Sequence, residues 1–414
     1  MALELLKEFL QDIKVHRLRT FLTTIAVTWG TIAVVLLLSF GEGLGVQMTN
    51  GLMNAGNRIM ILYGGETGKP FEGIPKGRKI RMVEDDARLL KESIPGIAML
   101  SPQYRHYVQL TYGKLSTNTE CEGVNPNFEE MRRMYPTSGG RFLDEIDVSM
   151  QKRTLVLGSE IAHDIFKDED PVGKILLLDN IPFTVVGIIQ NKIQTAMNNG
   201  PDSRRAIIPY TTMRTMYGME IVNSIAVRPA DPGHQEELKK EIFRVLARKY
   251  HFDPTDERTL FIWDFIEAEK TSRNISTGVA IFLFAIGLLT LLIAGVGVAN
   301  VMYAIVKERT REIGIKLAVG ARRRVILSQF VFEALFIAFI GGAIGILFSV
   351  GVVGLVRLIP AGTDGPMQFL GRPVLSPLIM LGTTGILGLV GLLAGYFPAR
   401  RASGVDPVES LRYE

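Results

Sequence analysis

Few residues in this chain are spaced for catalysis. The five histidines, His16, His106, His163, His234 and His251, are scattered. No H-E-x-x-H pair or cysteine-rich spacing is present to hold a metal, and the serines lack partners for nucleophilic chemistry. The single cysteine, Cys121, cannot form an intrachain disulfide and reads as a small buried apolar residue. A phosphate-binding loop needs G-x-x-x-x-G-K-[ST]; Gly68-Lys69-Pro70 and Gly173-Lys174-Ile175 lack the earlier glycine and the hydroxyl residue. The spacing points instead to mechanical chemistry. Lys307-Glu-Arg-Thr-Arg-Glu-Ile-Gly-Ile-Lys-Leu-Ala-Val-Gly-Ala-Arg-Arg-Arg324 is a short basic segment between two long apolar runs, the form of a cytoplasmic element through which a membrane protein receives force from a soluble partner.

The apolar runs that position this segment set the class. No charge interrupts residues 20–40, 274–306 or 373–399, and residues 325–356 contain only Glu333. Each run reaches the roughly 18–20 residues that a helix needs to cross a bilayer. Four spanning helices are predicted, the second long enough to continue beyond the membrane. Lys14, Arg17 and Arg19 precede the first span, the 307–324 segment is strongly basic, and Arg400, Arg401 and Arg412 follow the last. By the positive-inside rule, both termini and the basic loop are expected in the cytoplasm and residues 42–273 on the opposite side. The 414 residues are 47% hydrophobic with a formal charge of +4, a balance that fits a membrane protein with a sizeable soluble domain and gives no nucleic-acid signal. Residues 1–19 read as a cytoplasmic amphipathic helix, with Leu3, Leu6, Leu10 and Ile13 at helical spacing. The first run is too long, and lacks a clean small-residue cleavage site, for a signal peptide.

The outer region reads as mixed α and β. A strand near Ile59, a helix faced by Val83, Ala87, Leu90 and Ile94, and strands over 98–110 and 115–124 open it. A similar strand, helix, strand order closes it at 224–227, around Leu238, Ile242 and Leu246, and at 259–262. A β-rich section lies between, and residues 190–205, with Asn198-Asn-Gly-Pro201, read as a mobile loop.

Arg311-Glu-Ile-Gly-Ile-Lys316, Ala318-Val-Gly-Ala321 and Gln329-Phe-Val-Phe-Glu333-Ala334 resemble the segment between the second and third membrane helices of MacB/FtsX-like ABC transporter permeases. Pro398-Ala-Arg-Arg-Ala402 with Asp406-Pro-Val-Glu-Ser-Leu-Arg412 is similar to that family's C-terminal signature, and Gly158-Ser-Glu-Ile-Ala162, Pro171-Val-Gly-Lys174 and Phe183-Thr-Val-Val-Gly-Ile188 resemble the periplasmic core domain of its MacB-like members. The likeness covers essentially the whole chain. It implies an α-helical membrane protein with four transmembrane helices and a large α+β extracytoplasmic domain, made of porter-like βαβ units and an inserted β-rich subdomain. The expected divisions are an amphipathic helix at 1–19, a first span at 20–41, the outer domain at 42–273 with its insert at about 125–218, and a second span with stalk at 274–306. A coupling helix at 307–324, a third span at 325–356, an outer loop at 357–372, a fourth span at 373–397 and a cytoplasmic tail at 398–414 complete them.

The resemblance assigns coupling to an ATPase to Glu308, Arg309, Arg311, Glu312, Ile313, Gly314, Lys316, Leu317, Gly320 and Ala321, with tail contacts from Pro398, Arg400, Arg401, Asp406 and Pro407. If 308–319 is helical, Glu312 can pair with Arg309 and Lys316, and Gly320 can end the helix. Ile313 and Leu317 share a face suited to a groove in the ATPase, with Arg309, Arg311 and Lys316 meeting acidic residues at its rim. Glu333 reads as a structural polar contact in the third span. The glycine pairs Gly341-x-x-x-Gly345 and Gly391-x-x-x-Gly395 read as packing surfaces.

The family's MacB carries an ATPase domain before its first span, whereas only about twenty residues precede the span here. The chain is therefore expected to be no enzyme, to hold no cofactor or metal, and to rely on a separate ABC ATP-binding subunit that binds ATP and Mg. The further partners implied are a second copy or a paralogous permease, with a periplasmic adaptor and outer-membrane duct left open. The expected function is ATP-driven motion passed from the ATPase to the periplasmic domain, for efflux of a periplasmic substrate, in the bacterial inner membrane. An FtsX-like scaffold controlling cell-wall hydrolases, or LolC/LolE-like lipoprotein extraction, are the alternatives.

Overall fold

The computed structural model describes residues 17–196, 200–359 and 371–404. The amphipathic stretch ahead of Arg17, Asn198 and Asn199, most of the 357–372 loop, and Asp406 and Pro407 lie outside the described residues. The chain divides into two compact units, Met48–Arg273 and Met1–Gln47 with Asn274–Glu414.

In the first of these units, strands β1 (Met60–Gly64), β2 (Ile97–Tyr112), β8 (Ser224–Pro229) and β9 (Leu260–Asp264) form an antiparallel sheet in the order β2-β8-β1-β9. Helix α2 (Glu84–Ser93) joins β1 to β2, and α7 (Gln235–Tyr250), which follows the short helices α4 (Glu145–Ser149), α5 (Ser159–Phe166) and α6 (Tyr210–Tyr217) in the chain, joins β8 to β9. The two βαβ units thus interleave as a split βαβ pair, each inserting a strand between the two strands of the other. Successive β1 side chains alternate faces: Met60 and Leu62 join the core with Leu90, Ile225, Ile242 and Leu246, while Ile59 and Ile61 join Phe128, Ala226 and Phe265 on the other side. Three carboxylates in the first turn of α2, Glu84, Asp85 and Asp86, favour its N-terminus. The fully buried Asp86 also accepts bonds from Lys249 Nζ and the Tyr250 hydroxyl, both at 2.6 Å, which tie the end of α7 to the start of α2.

The sixteen-residue β2 is shared between two sheets. Its first half pairs with β8; its second half pairs with β3 (Leu115–Val124), and Leu110 and Thr111 also pair with β5 (Ile175–Leu178). With β4 (Thr154–Leu157), β6 (Ile181–Ile188) and β7 (Arg205–Pro209), these strands follow the order β3-β7-β4-β6-β5-β2 and close through β2–β3 into a six-stranded ring. Closure removes the exposed strand edges. The β-rich part therefore begins at Tyr104, ahead of the expected 125, because β3 pairs in parallel with β7 and belongs to the ring. Cys121 is buried there, and burial pushes its thiol well up.

The stretch expected to be a mobile loop is instead anchored on both sides of residues 197–199. Arg132, in the short helix α3 (Phe128–Arg132), donates to Asp202 at 2.8 Å, Lys192 reaches the same carboxylate at 2.7 Å, and Gln194 bonds both its backbone and its side chain. Arg205 pairs with Glu122, which also meets Arg105 at 3.1 Å. Buried ions persist only when paired, so this loop is fixed by the charges it carries inward. Lys192 Nζ also donates to Asn54 O at 2.9 Å, and Asn54 Nδ2 donates back to Ile193 O at 2.9 Å. These bonds tie the loop to the end of α1 (Arg17–Ala55). Burial pushes the Lys192 ammonium down to about 8 against the pull of Asp202. Burial alone would raise Asp202, but the Arg132, Lys192 and Arg205 cations hold it below the ordinary carboxylate range.

The second unit is helical. Among the described residues, four helices are long and apolar enough to cross a membrane: α1, α8 (Phe265–Glu308), α10 (Arg323–Leu358) and α11 (Pro377–Ser403). Ser376 caps α11 by accepting from Leu378 N at 3.2 Å, with Pro377 in the first turn. A Cβ at Gly391 or Gly395 would lie 2.8 Å from Ala338 Cβ or 2.6 Å from Ala334 Cβ, so this glycine pair seats α11 against α10. Gly341 and Gly345 of α10 likewise face Val27 and Thr31 of α1, at 2.9 and 2.7 Å, and Thr28 Oγ1 donates to Gly341 O at 3.1 Å. Both pairs pack helices within one chain.

Candidate coupling site

The helix α8 ends at Glu308, Arg309 breaks the regular geometry with φ −96° and ψ 12°, and α9 (Thr310–Ala318) follows at once. Two backbone bonds meet at the break, from Arg309 N to Ile305 O at 3.0 Å and from Ile313 N to Arg309 O at 2.9 Å, and Thr310 Oγ1 donates across it to Val306 O at 3.0 Å, so α9 follows α8 directly as one bent rod. The rod ends at Gly320, whose φ of +99° suits a residue without a Cβ. Gly320 N donates to Leu317 O at 3.0 Å and Ala321 N to Lys316 O at 2.9 Å, a Schellman pair that satisfies the last carbonyls. Glu308 belongs to α8, and the independent coupling helix is shorter than the expected 308–319 because the chain bends at Arg309.

Three contacts seat the bend. Arg19 Nη1 and Nη2 donate to the two oxygens of Glu308, each at 2.8 Å, a bidentate clamp between α1 and the end of α8. Arg309 turns inward, its Nη1 lying 3.6 Å from Glu333 Oε1, and both side chains are largely buried. This explains the charge inside the third span: Glu333 neutralises the guanidinium at the bend. Ile313 is 3% exposed and joins a cluster with Val306, Ile326, Phe330, Ala399 and Ala402, against which Leu317 packs.

This burial corrects the expected docking face. Ile313, Gly314 and the Arg309 side chain are packed into the unit's own interior. The expected pairing of Glu312 with Arg309 is replaced by Arg309 with Glu333. The face left outward carries Arg311, Glu312, Lys316 and two apolar residues, Ile315 and Val319, the latter 84% exposed. Lys307 and Arg322–Arg324 extend it, and Arg400 and Arg401 are exposed at the end of α11, while Pro398 is buried. Ile315 and Val319 lie four residues apart and share a helix face. The arrangement is an apolar pair ringed by cations, rigidly backed by a buried core.

Elsewhere, Glu236, Asp264 and Glu267 bring three carboxylates together, but Lys239 Nζ sits 2.7 Å from both Glu236 and Asp264 and supplies their cation. His234 and His251 are exposed beside Asp231 and Glu72.

Four apolar helices joined to an interleaved βαβ domain define a multi-pass membrane protein with a large domain outside the membrane. Residues 20–245 match the MacB-like periplasmic core domain and residues 284–407 the FtsX-like permease C-terminal domain; the chain belongs to the MacB-like family. It is 28% identical over 416 residues to the macrolide export ATP-binding/permease protein MacB of Bdellovibrio bacteriovorus, covering 100% of this chain and 62% of that protein. With MacB of Wolinella succinogenes it shares 30% identity over 414 residues, 99% of this chain and 61% of that one. The chain thus spans about three fifths of the length of these relatives. The periplasmic region of MacB from Actinobacillus actinomycetemcomitans aligns over 54% of this chain and 96% of its own, with 21% identity and a TM-score of 0.43. Both matched regions are permease-type, and neither is a nucleotide-binding domain.

Proposed function

We propose that this chain is the permease element of a MacB-like ABC transporter. A separate cytoplasmic ATPase, holding ATP and Mg, engages α9, and its motion passes through the membrane helices to the periplasmic domain to export a substrate. In this reading both termini and α9 are cytoplasmic, the βαβ domain is periplasmic, and the permease works with a second copy or a paralogue. The carrying observation is the rigid mounting of an exposed basic and apolar face: Arg311, Glu312, Ile315, Lys316 and Val319 stand on a rod clamped by Arg19 to Glu308 and by Arg309 to Glu333. A load applied to that face would reach α8, α1 and α10 through these contacts.

The test is affinity purification of the full chain from membranes, beside a Glu312→Lys/Lys316→Glu variant, with mass spectrometry of what co-purifies. An ABC ATPase recovered with the parent and lost with the variant supports the reading. A cell-wall hydrolase recovered in its place, with no ATPase, would replace export by a regulatory role.

A further inference from the structure

A polar cavity of about 400 Å3 lies where the end of α1 meets the ring domain. Its size falls within the range of small-molecule sites, roughly 300–1,000 Å3, and every side chain lining it carries a polar group. Asn54 comes from the last turn of α1 and Asn57 from just beyond it, Arg133 and Tyr135 from the segment after α3, and Gln190, Asn191 and Lys192 from the anchored loop.

Among the described residues, Gln190 Nε2 donates to Pro136 O at 3.0 Å, but four of the lining side chains are left without a strong partner. Arg133 Nη2 lies 3.2 Å from Met53 Sδ, a weak acceptor, and among the described residues its guanidinium meets no carboxylate. Its charged neighbours Arg132 and Lys192 are both paired with Asp202. The side-chain amides of Asn57 and Asn191 and the Tyr135 hydroxyl likewise have no protein partner among the described residues. Their backbones are nevertheless fixed: Asn57 N donates to Met131 O at 2.9 Å, and Gln190 N to Tyr135 O at 2.9 Å. Arg133 itself is held at φ +51° and ψ 45°, a left-handed conformation unfavourable to a residue with a Cβ, which directs its long side chain away from the helix path.

An unpaired guanidinium selects a planar or tetrahedral anion. Surrounding carboxamides and a phenol offer paired donors and acceptors, the complement of vicinal hydroxyls, and a flanking tyrosine ring can cover a sugar face. We infer that this cavity binds a small hydroxylated anion, a sugar acid or sugar phosphate, with Arg133 taking the anionic group and Asn57, Asn191 and Tyr135 the hydroxyls. The ligand bridges Asn57 just beyond the end of α1 to Asn191 in the loop, so its binding stiffens that junction.

Isothermal titration of the full chain in lipid nanodiscs with D-glucuronate, glucose 6-phosphate and D-glucose tests this inference, the first two arms distinguishing carboxylate from phosphate. The expected result is saturable binding of at least one anionic sugar, about tenfold or more tighter than D-glucose. Arg133→Met, which keeps the contact with Met53, and Asn191→Ala should each weaken that binding about tenfold, while Arg88→Met on the distant α2 leaves it unchanged. Asn191 is exposed, so its variant decides the matter even if Arg133→Met fails to fold. No saturable binding, equal affinity for all three sugars, or binding untouched in the folded variants would overturn the inference.

Discussion

Arg19 and Glu308, 289 residues apart in sequence, form a bidentate pair with both nitrogen–oxygen distances at 2.8 Å. The pair joins α1 to the point where α8 bends into α9, so any displacement of α9 is shared by both helices. Both side chains remain partly solvated, at 33% and 44% exposure, and such pairs contribute about 0.2–1 kcal/mol to stability. Arg19→Ala should therefore change the melting temperature little. A double-mutant cycle with Glu308→Ala, read as ATPase stimulation in the assembled complex, should show a coupling energy above that seen in melting.

Arg309 and Glu333 behave differently because they are largely buried. Removing one charge of a buried pair costs about 3–5 kcal/mol, whereas an apolar replacement of both is tolerated. Thermal unfolding in detergent should rank Glu333→Ala below Arg309→Met/Glu333→Leu.

The two faces of α9 should separate stability from binding. Ile313→Ala removes a buried side chain and should cost about 2–5 kcal/mol. Ile315→Ala and Val319→Ala should leave the melting temperature within experimental spread, yet reduce ATPase recovery in affinity purification.

Close helix packing gives a fourth expectation. Gly395→Val inserts atoms where even a Cβ would lie 2.6 Å from Ala334 Cβ and 3.3 Å from the Val331 backbone. Forcing α10 and α11 apart should cost about 1–3 kcal/mol. Gly382→Val, where a Cβ meets nothing within 4 Å, should be neutral in the same unfolding measurement.

The ion cluster on the ring makes stability depend on pH. Asp202 has a lower pKa folded than unfolded, so the unfolded chain takes up the proton first as pH falls. Its stabilising contribution is complete above the ordinary carboxylate range, about pH 4, and is lost as pH falls through the folded value. Lys192, pushed down to about 8, sheds its proton earlier in the folded chain. Its unfavourable charge burial is thus relieved between pH 8 and the ordinary lysine value near 10.4. Asp202→Asn should lower the unfolding midpoint at pH 7 and flatten the acid limb, followed by the fluorescence of Trp263 in a Trp29→Phe background.

The sequence revealed most where its signal was long or local. Four long apolar runs, broken only by Glu333 in the third, mark the spans, and the 3.6-residue spacing of Leu238, Ile242 and Leu246 marks α7. Ring closure was not legible, since it depends on Leu110 and Thr111 meeting Leu178 and Leu177, a two-residue pairing that leaves no local pattern. The register of α9 was misread for a related reason. Ile313 and Ile315 are equally apolar, and only the positions of Phe330 and Ala402 decide which of them is buried. Arg309 likewise had a nearer acid in Glu312, but the bend directs it to Glu333. The loop before Arg205 looked mobile from its Asn-Gly-Pro content, while its anchors Lys192, Gln194 and Asp202 find partners only in three dimensions.

The central claim is that the outward face of α9 receives a cytoplasmic ATPase. A photo-crosslinking amino acid placed in turn at Ile313, Ile315 and Val319, irradiated in intact cells, tests it most directly. The account predicts an ABC ATPase adduct from positions 315 and 319 and none from 313. Absence of any such adduct at 315 and 319, with the chain folded and in the membrane, would contradict it.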